Sequence, residues 1–322
     1  FVASFSLGAN LFQFMHLKTK FLGIKRFLAG ILTAFLVTLS GNLHTIYAFF
    51  KPYENEVPVP VWQLPFLPIS FPNSYWYPNA TRYIYHTIHE FPMYSWVVAD
   101  LHGHVFDIPF VLTILAVLLA LLARSERPAT HDVPTHVQIS KNFFSSLFSF
   151  LKTFWYLPLL GFFLSVMYMT NAWDGLIYLL LSGLFILYMH ATSFAKKHNV
   201  GFSMIVNLEF ISSLAIAAVA IFLGFLFFSL PFSLFFKPFV SGIGVLCAPE
   251  ALVNKGMLGP FLFEADHCQR SPWWQLLTLY GFFYFFIFAF LGFLTRVKNV
   301  RISDTFVLLL IILGTVLIII PE

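Results

Sequence analysis

Apolar residues run along this chain in long blocks separated by short polar stretches. A helix needs about 20 mostly apolar residues to cross the ~30 Å hydrocarbon layer of a bilayer. Blocks of that kind occupy 27–49, 105–123, 154–170, 172–190, 208–236, 274–295 and 304–320, with a partial one at 1–16. The pattern predicts seven membrane spans plus a partial one. The block 208–236 is longer than a span requires, and Pro231 is expected to kink or end it. Pro158 stands where the first turn of a helix tolerates proline. No short internal repeat is visible.

Composition sharpens this picture. Of 322 residues, 59 % are apolar and 10 % charged, and 43 are Phe. A soluble domain carries ~25 % charged residues. Mean hydropathy is +0.83. So few polar groups could not cover the exterior of a soluble fold. A soluble enzyme, a disordered chain and a nucleic-acid-binding module are therefore excluded. The expected class is an all-α polytopic transmembrane bundle. Residues 1–322 are expected to form a single membrane domain with two large outer loops, 50–104 and 237–273. The chain begins at Phe1 inside an apolar run and stops just after another, so it reads as an internal piece of a longer protein.

Charge supplies the orientation. The loops 17–26, 124–153, 191–207 and 296–303 hold Lys18, Lys20, Lys25, Arg26, Arg124, Arg127, Lys141, Lys152, Lys196, Lys197, Arg296, Lys298 and Arg301, against the acids Glu126 and Asp132. The alternate set keeps five cations: Lys51, Arg82, Lys237, Lys255 and Arg270. Its acids are many, among them Glu54, Glu56, Glu90, Asp100, Asp174, Glu250, Glu264 and Asp266. Basic loops stay in the cytoplasm, so the acidic set faces outward, and a plasma-membrane location is expected. Cys247 and Cys268 share one outer loop, where a disulfide is permitted but not required.

The outer loops also hold the candidate chemistry. Five prolines between Pro58 and Pro72 predict an extended segment. The aromatic residues that follow, from Tyr75 to Trp96, suit an interfacial belt, or a platform for a sugar or lipid tail. The densest polar group is His86-Thr87-Ile88-His89-Glu90, then Asp100-Leu101-His102-Gly103-His104, then Asp107. On a helix Asp100, His104 and Asp107 share a face; on a strand Asp100, His102 and His104 do. These residues fit three jobs: acid–base chemistry on a hydroxyl, coordination of a divalent cation that neutralises a phosphate, or a structural hydrogen-bond cluster. Groups like these at the mouth of a span are expected to face a water-filled cavity. Asn171-Ala172-Trp173-Asp174 forms a second cluster, in which Asp174 is either a helix cap or part of a polar lip beside the Asp100 cluster, with Trp173 offering a stacking face. Arg270 is a candidate phosphate contact or an ordinary solvated charge. No phosphate-binding glycine loop and no nucleophile elbow is present.

His89-Glu90-Phe91-Pro92-Met93-Tyr94-Ser95-Trp96, continuing into Ala99-Asp100-Leu101-His102-Gly103-His104 and Pro109-Phe110, resembles the signature of the YYY-domain family of multipass membrane proteins. Gly41-Asn42-Leu43, Trp76 to Arg82, Asn171 to Asp174, Ser271-Pro272 with Tyr280-Gly281, and Pro321-Glu322 follow in the family's order, so the likeness covers nearly the whole chain. Gly103 stands where the family usually has Pro. The family's Tyr triplet and an acidic stretch are expected upstream of Phe1. The family is grouped with the GT-C glycosyltransferases, which implies a GT-C-like bundle that transfers sugar from a polyprenyl-phosphate donor at the outer face.

On that basis Glu90 and Asp100 are the candidate acids or bases. His102, His104, Trp173, Asp174 and Arg270 are the candidate substrate contacts, and Asp100, His102 and His104 are the metal candidates. Expected partners are membrane lipids and the lipid-linked sugar, with no nucleic acid. The rival readings are a transporter or flippase, which should carry ionisable residues near the midplane on broken helices, and a non-catalytic structural subunit.

Overall fold

The structure is a computed structural model that describes residues 1–15, 22–53, 57–73, 78–84, 87–99, 102–125, 154–198, 208–236, 243–259, 261–266, 268, 270–296 and 311–315. Helices dominate it, as the apolar blocks require. In chain order they are α1 Val2–Met15, α2 Leu22–Leu39, α3 Pro78–Thr81, α4 Pro92–Val98, α5 Gly103–Ser125, α6 Tyr156–Thr170, α7 Ala172–His198, α8 Leu208–Phe235, α9 Glu250–Val253 and α10 Trp273–Arg296. Among the described residues five helices are long and apolar enough to cross a membrane: α2, α5, α7, α8 and α10. α6 is shorter. Of the predicted span 304–320, only 311–315 falls within the described residues, and it is helical.

The chain folds as two compact units. Unit 1 holds 1–40, 92–234 and 297–317. Its centre is α6, whose Leu157, Leu160, Leu164, Ser165 and Met167 are all buried. α5 packs on α6, α7 and α1. Small residues set the closest approaches, as in many membrane bundles where glycine lets backbones touch. A Cβ at Gly161 would collide with the Ile221 carbonyl of α8, and one at Gly224 would lie 3.1 Å from the Pro158 carbonyl. Gly8 of α1 admits Thr33 of α2, and Gly30 of α2 admits the Phe5 ring. By contrast, α2 buries only Gly30 and Ala34. α8 leaves Phe222, Leu223, Phe227, Leu230 and Leu234 exposed, which is the face a lipid-solvated helix presents.

Four boundaries differ from expectation. α7, expected to end at 190, runs on to His198 and takes in Lys196 and Lys197, expected in a loop. The predicted span 27–49 is a helix from Leu22 to Leu39, and Leu43–Phe49 is a separate 3-10 helix in unit 2. The break follows from Asn42, whose Oδ1 accepts the His44 amide at 3.1 Å and so caps a new helix. Lys25 and Arg26, expected in a loop, lie in the first turns of α2, where long side chains can reach the interface while their stems stay apolar. Arg26 donates to Asn10 Oδ1 of α1 at 3.3 Å. Pro231 neither ends nor shortens α8, which continues to Phe235.

Unit 2 holds 41–91, 235–296 and 318–322. Its core is Tyr47, Tyr83, Ile84 and Leu279. The Tyr47 and Tyr83 hydroxyls bond each other, and Tyr47 donates to the Val59 carbonyl at 2.8 Å. Gln275 of α10 donates to the Tyr83 carbonyl at 2.9 Å. The proline-rich segment is extended apart from two single 3-10 turns, Val61–Gln63 and Pro68–Ser70. A small sheet stands in the loop before α10: β1 Ile243–Val245 runs parallel to β3 Phe261–Phe263, and β2 Met257–Leu258 runs antiparallel to β3. Gly256 and Gly259, at φ +66° and +59°, turn the chain into and out of β2 in a region that disfavours side chains. Cys247 and Cys268 form a disulfide that ties the end of this sheet together.

Candidate functional site

The polar end of unit 1 is built by two helix starts and one helix end. α6 stops at Asn171, whose extended backbone leaves the helix while its N–H still bonds the Met167 carbonyl at 2.6 Å. α7 begins at the next residue. Asn171 Oδ1 accepts the Trp173 amide at 3.3 Å, so Asn171 caps α7. Its Nδ2 donates to Asp174 Oδ2 at 2.9 Å. The sequence offers Asp174 as the cap. The structure gives that work to Asn171 and leaves the Asp174 carboxyl free to turn toward α5.

α5 comes close because its first residue is glycine. A Cβ at Gly103 would sit 2.5 Å from the Thr170 carbonyl oxygen. The approach brings Asp107, one turn into α5, against α7. Asp107 is fully buried, and neither of its carboxyl oxygens accepts a hydrogen bond from a donor. Its neighbour is the Asp174 carboxyl, within hydrogen-bonding reach. Tyr178, one turn further along α7, lies within electrostatic reach of both carboxyls. His104 lies in the neighbourhood of Asp174. His104 Nε2 also lies 3.2 Å from the hydroxyl of Ser95, a buried residue of α4. The His102 and His104 rings stack at 5.7 Å. Trp173 is exposed beside this group.

The candidates therefore separate. His104 and Asp174 come together, with His102 stacked on His104 and Trp173 next in the chain to Asp174. Asp100 lies outside the described residues, although Ala99 just before it has φ +54°, a left-handed turn at the end of α4. Glu90 and Arg270 belong to unit 2. Glu90 is half-buried between two anchors. His89 Nδ1 lies 2.9 Å from the Tyr280 hydroxyl of α10, and Phe91 stacks on Phe283. Arg270 is exposed. Among the described residues no three His, Cys, Asp or Glu side chains approach closely enough to hold a metal ion. Asp107 is the residue that sequence reasoning placed at the margin and the structure places at the centre. Its signal was there: an ionisable side chain inside a membrane span.

Apolar helices of spanning length, packed through glycines and carrying one buried carboxyl near their end, define a polytopic α-helical integral membrane protein. Residues 1–321 match the family described as Uncharacterized membrane protein (DUF2298), and the chain belongs to that family. No curated protein and no solved structure matches it significantly.

Proposed function

We propose that this membrane protein is a glycosyltransferase of the GT-C kind, moving a sugar from a polyprenyl-phosphate donor to an acceptor hydroxyl at the outer face of the plasma membrane. The observation that carries the reading is the gathering of Asp107, Asp174, Asn171 and His104 at one end of unit 1, among otherwise apolar helices. A carboxylate in such a place is suited to take the proton of an attacking hydroxyl. Asp174 and Asp100 are its candidates. His102 and His104 suit the donor phosphate, directly or through a divalent cation, and the exposed Trp173 ring offers a sugar a stacking face. The resemblance of 89–110 to YYY-domain proteins supports the class. The disulfide between Cys247 and Cys268 supports an outward orientation, because such bonds persist in oxidising compartments.

One observation favours a second reading, a transporter or flippase: a carboxyl buried within a span is a common element of proton-coupled pathways. One experiment separates the two. The protein is reconstituted in vesicles with a polyprenyl-phosphate carrying a radiolabelled hexose, together with membrane-extract acceptors. Transfer predicts that label leaves the lipid fraction, and that Asp174→Asn slows this about 100-fold or more at unchanged protein abundance. An undiminished rate in the variant overturns the role of Asp174. Label that crosses between leaflets while staying on its lipid overturns transfer in favour of the flippase.

A further inference from the structure

Asp107 presents a problem in elementary hydrogen bonding. It is fully buried, no donor serves either of its oxygens, and the group it meets is another carboxyl. Ionised carboxylates only accept hydrogen bonds. Two of them side by side and out of water repel strongly, and a buried charge left uncompensated destabilises a fold. Among the described residues no cationic side chain bonds to Asp107. α1 carries no titratable side chain, and α6 brings only tyrosines. On α7 the neighbours are Asp174 and Tyr178, and His104 of α5 lies in the neighbourhood of Asp174.

Asp174 is different, being partly exposed and already held by the Asn171 amide. The pair is therefore asymmetric, with one carboxyl sealed in the bundle and the other at its edge with a donor of its own. A hard cation would need about six oxygen ligands. Among the described residues no third acidic or imidazole group joins the pair closely enough to help hold one. A proton needs only the two facing oxygens.

We propose that Asp107 and Asp174 form a proton-binding site, one proton lying between the facing oxygens so that the buried carboxyl is a neutral acid donating to the carboxylate at the edge. This makes the contact a charge-assisted hydrogen bond, the short and strong kind. It also keeps a single negative charge on Asp174, where Asn171 stabilises it. The proposal stands whether or not the chain transfers sugars. It requires only that the pair is closed by a proton and by nothing larger.

Infrared spectroscopy of the full-length purified protein in phosphatidylcholine vesicles tests this at neutral pH. Wild-type protein should show a carboxylic-acid carbonyl band that shifts in D2O and again when the protein is grown with carboxyl-13C aspartate. Asp107→Asn should lose that band. Asp174→Asn should move it, because the acid loses its carboxylate acceptor. The wild-type label experiment stands even if a variant fails to fold. Three results each overturn the proposal: no aspartic-acid band in wild type, a band unchanged in both variants, or a band that vanishes when NaCl or MgCl2 is added, which would make the pair a metal-cation site.

Discussion

His44 shows what burial does to a single ionisable residue outside the spans. It stacks on Tyr47 at 4.5 Å and lies 3.0 Å from the Tyr53 hydroxyl. Burial lowers its pKa to about 4. An unfolded histidine takes up a proton near pH 6.5. Between about pH 6.5 and 4 the unfolded chain therefore binds the proton that the folded chain refuses. Stability from this residue is fully present above that window and is lost as pH falls through it. Melting of the purified protein should drop in temperature as pH is lowered from 7 to 4.5. His44→Gln should flatten that slope by roughly one proton's worth, and an equal slope in both proteins would refute the assignment. Tyr83, buried beside it, is pushed upward by burial and by its bond to Tyr47, so it stays a neutral donor across the same range.

Helices meet in unit 1 through missing side chains, and that is the test at the scale of the element. Gly161 lies against the α8 backbone and Gly103 against the end of α6, whereas Gly183 of α7 has open space around it. Gly161→Ala and Gly103→Ala should each destabilise by about 1–3 kcal/mol through overpacking. Gly183→Ala should be neutral or slightly stabilising, since alanine is the better helix former. Thermal denaturation in detergent ranks the three, and equal melting points would contradict the packing.

Much of this element structure was legible in the chain, because spans announce themselves by length and apolarity alone. Less legible was whatever depends on partners distant in sequence. Asp107 was visible as an acid near a polar cluster, but its contact with Asp174 exists only once Gly103 lets α5 reach the α6–α7 turn. The strands β1 to β3, two or three residues each, are too short to leave a periodic pattern. The break after Leu39 lay inside one long apolar block, where Ser40-Gly41-Asn42 is the short polar mark that shows it. The exchange of roles between Asn171 and Asp174 could not be read from spacing, since both residue types cap helices.

For the whole molecule, orientation is the property that most constrains function. Basic residues gather in one set of loops, and the disulfide lies in the other. Single cysteines introduced at positions 55 and 79 should react with an impermeant maleimide applied to intact cells, and one at 197 should not. The two native cysteines are bridged to each other and give no background. Labelling at 197 from outside would reverse the orientation and move the Asp107–Asp174 end to the cytoplasmic side.

The polar groups at the junction of α6 and α7 also bear on what could reach them. Asn171 and Asp174 stand where one apolar helix ends and the next begins, and ionisable groups beside apolar helices favour contact with water or headgroups. An amphiphile anchored by its tail would find polar company there without leaving the leaflet, whereas a freely dissolved molecule would have to come to it from the water.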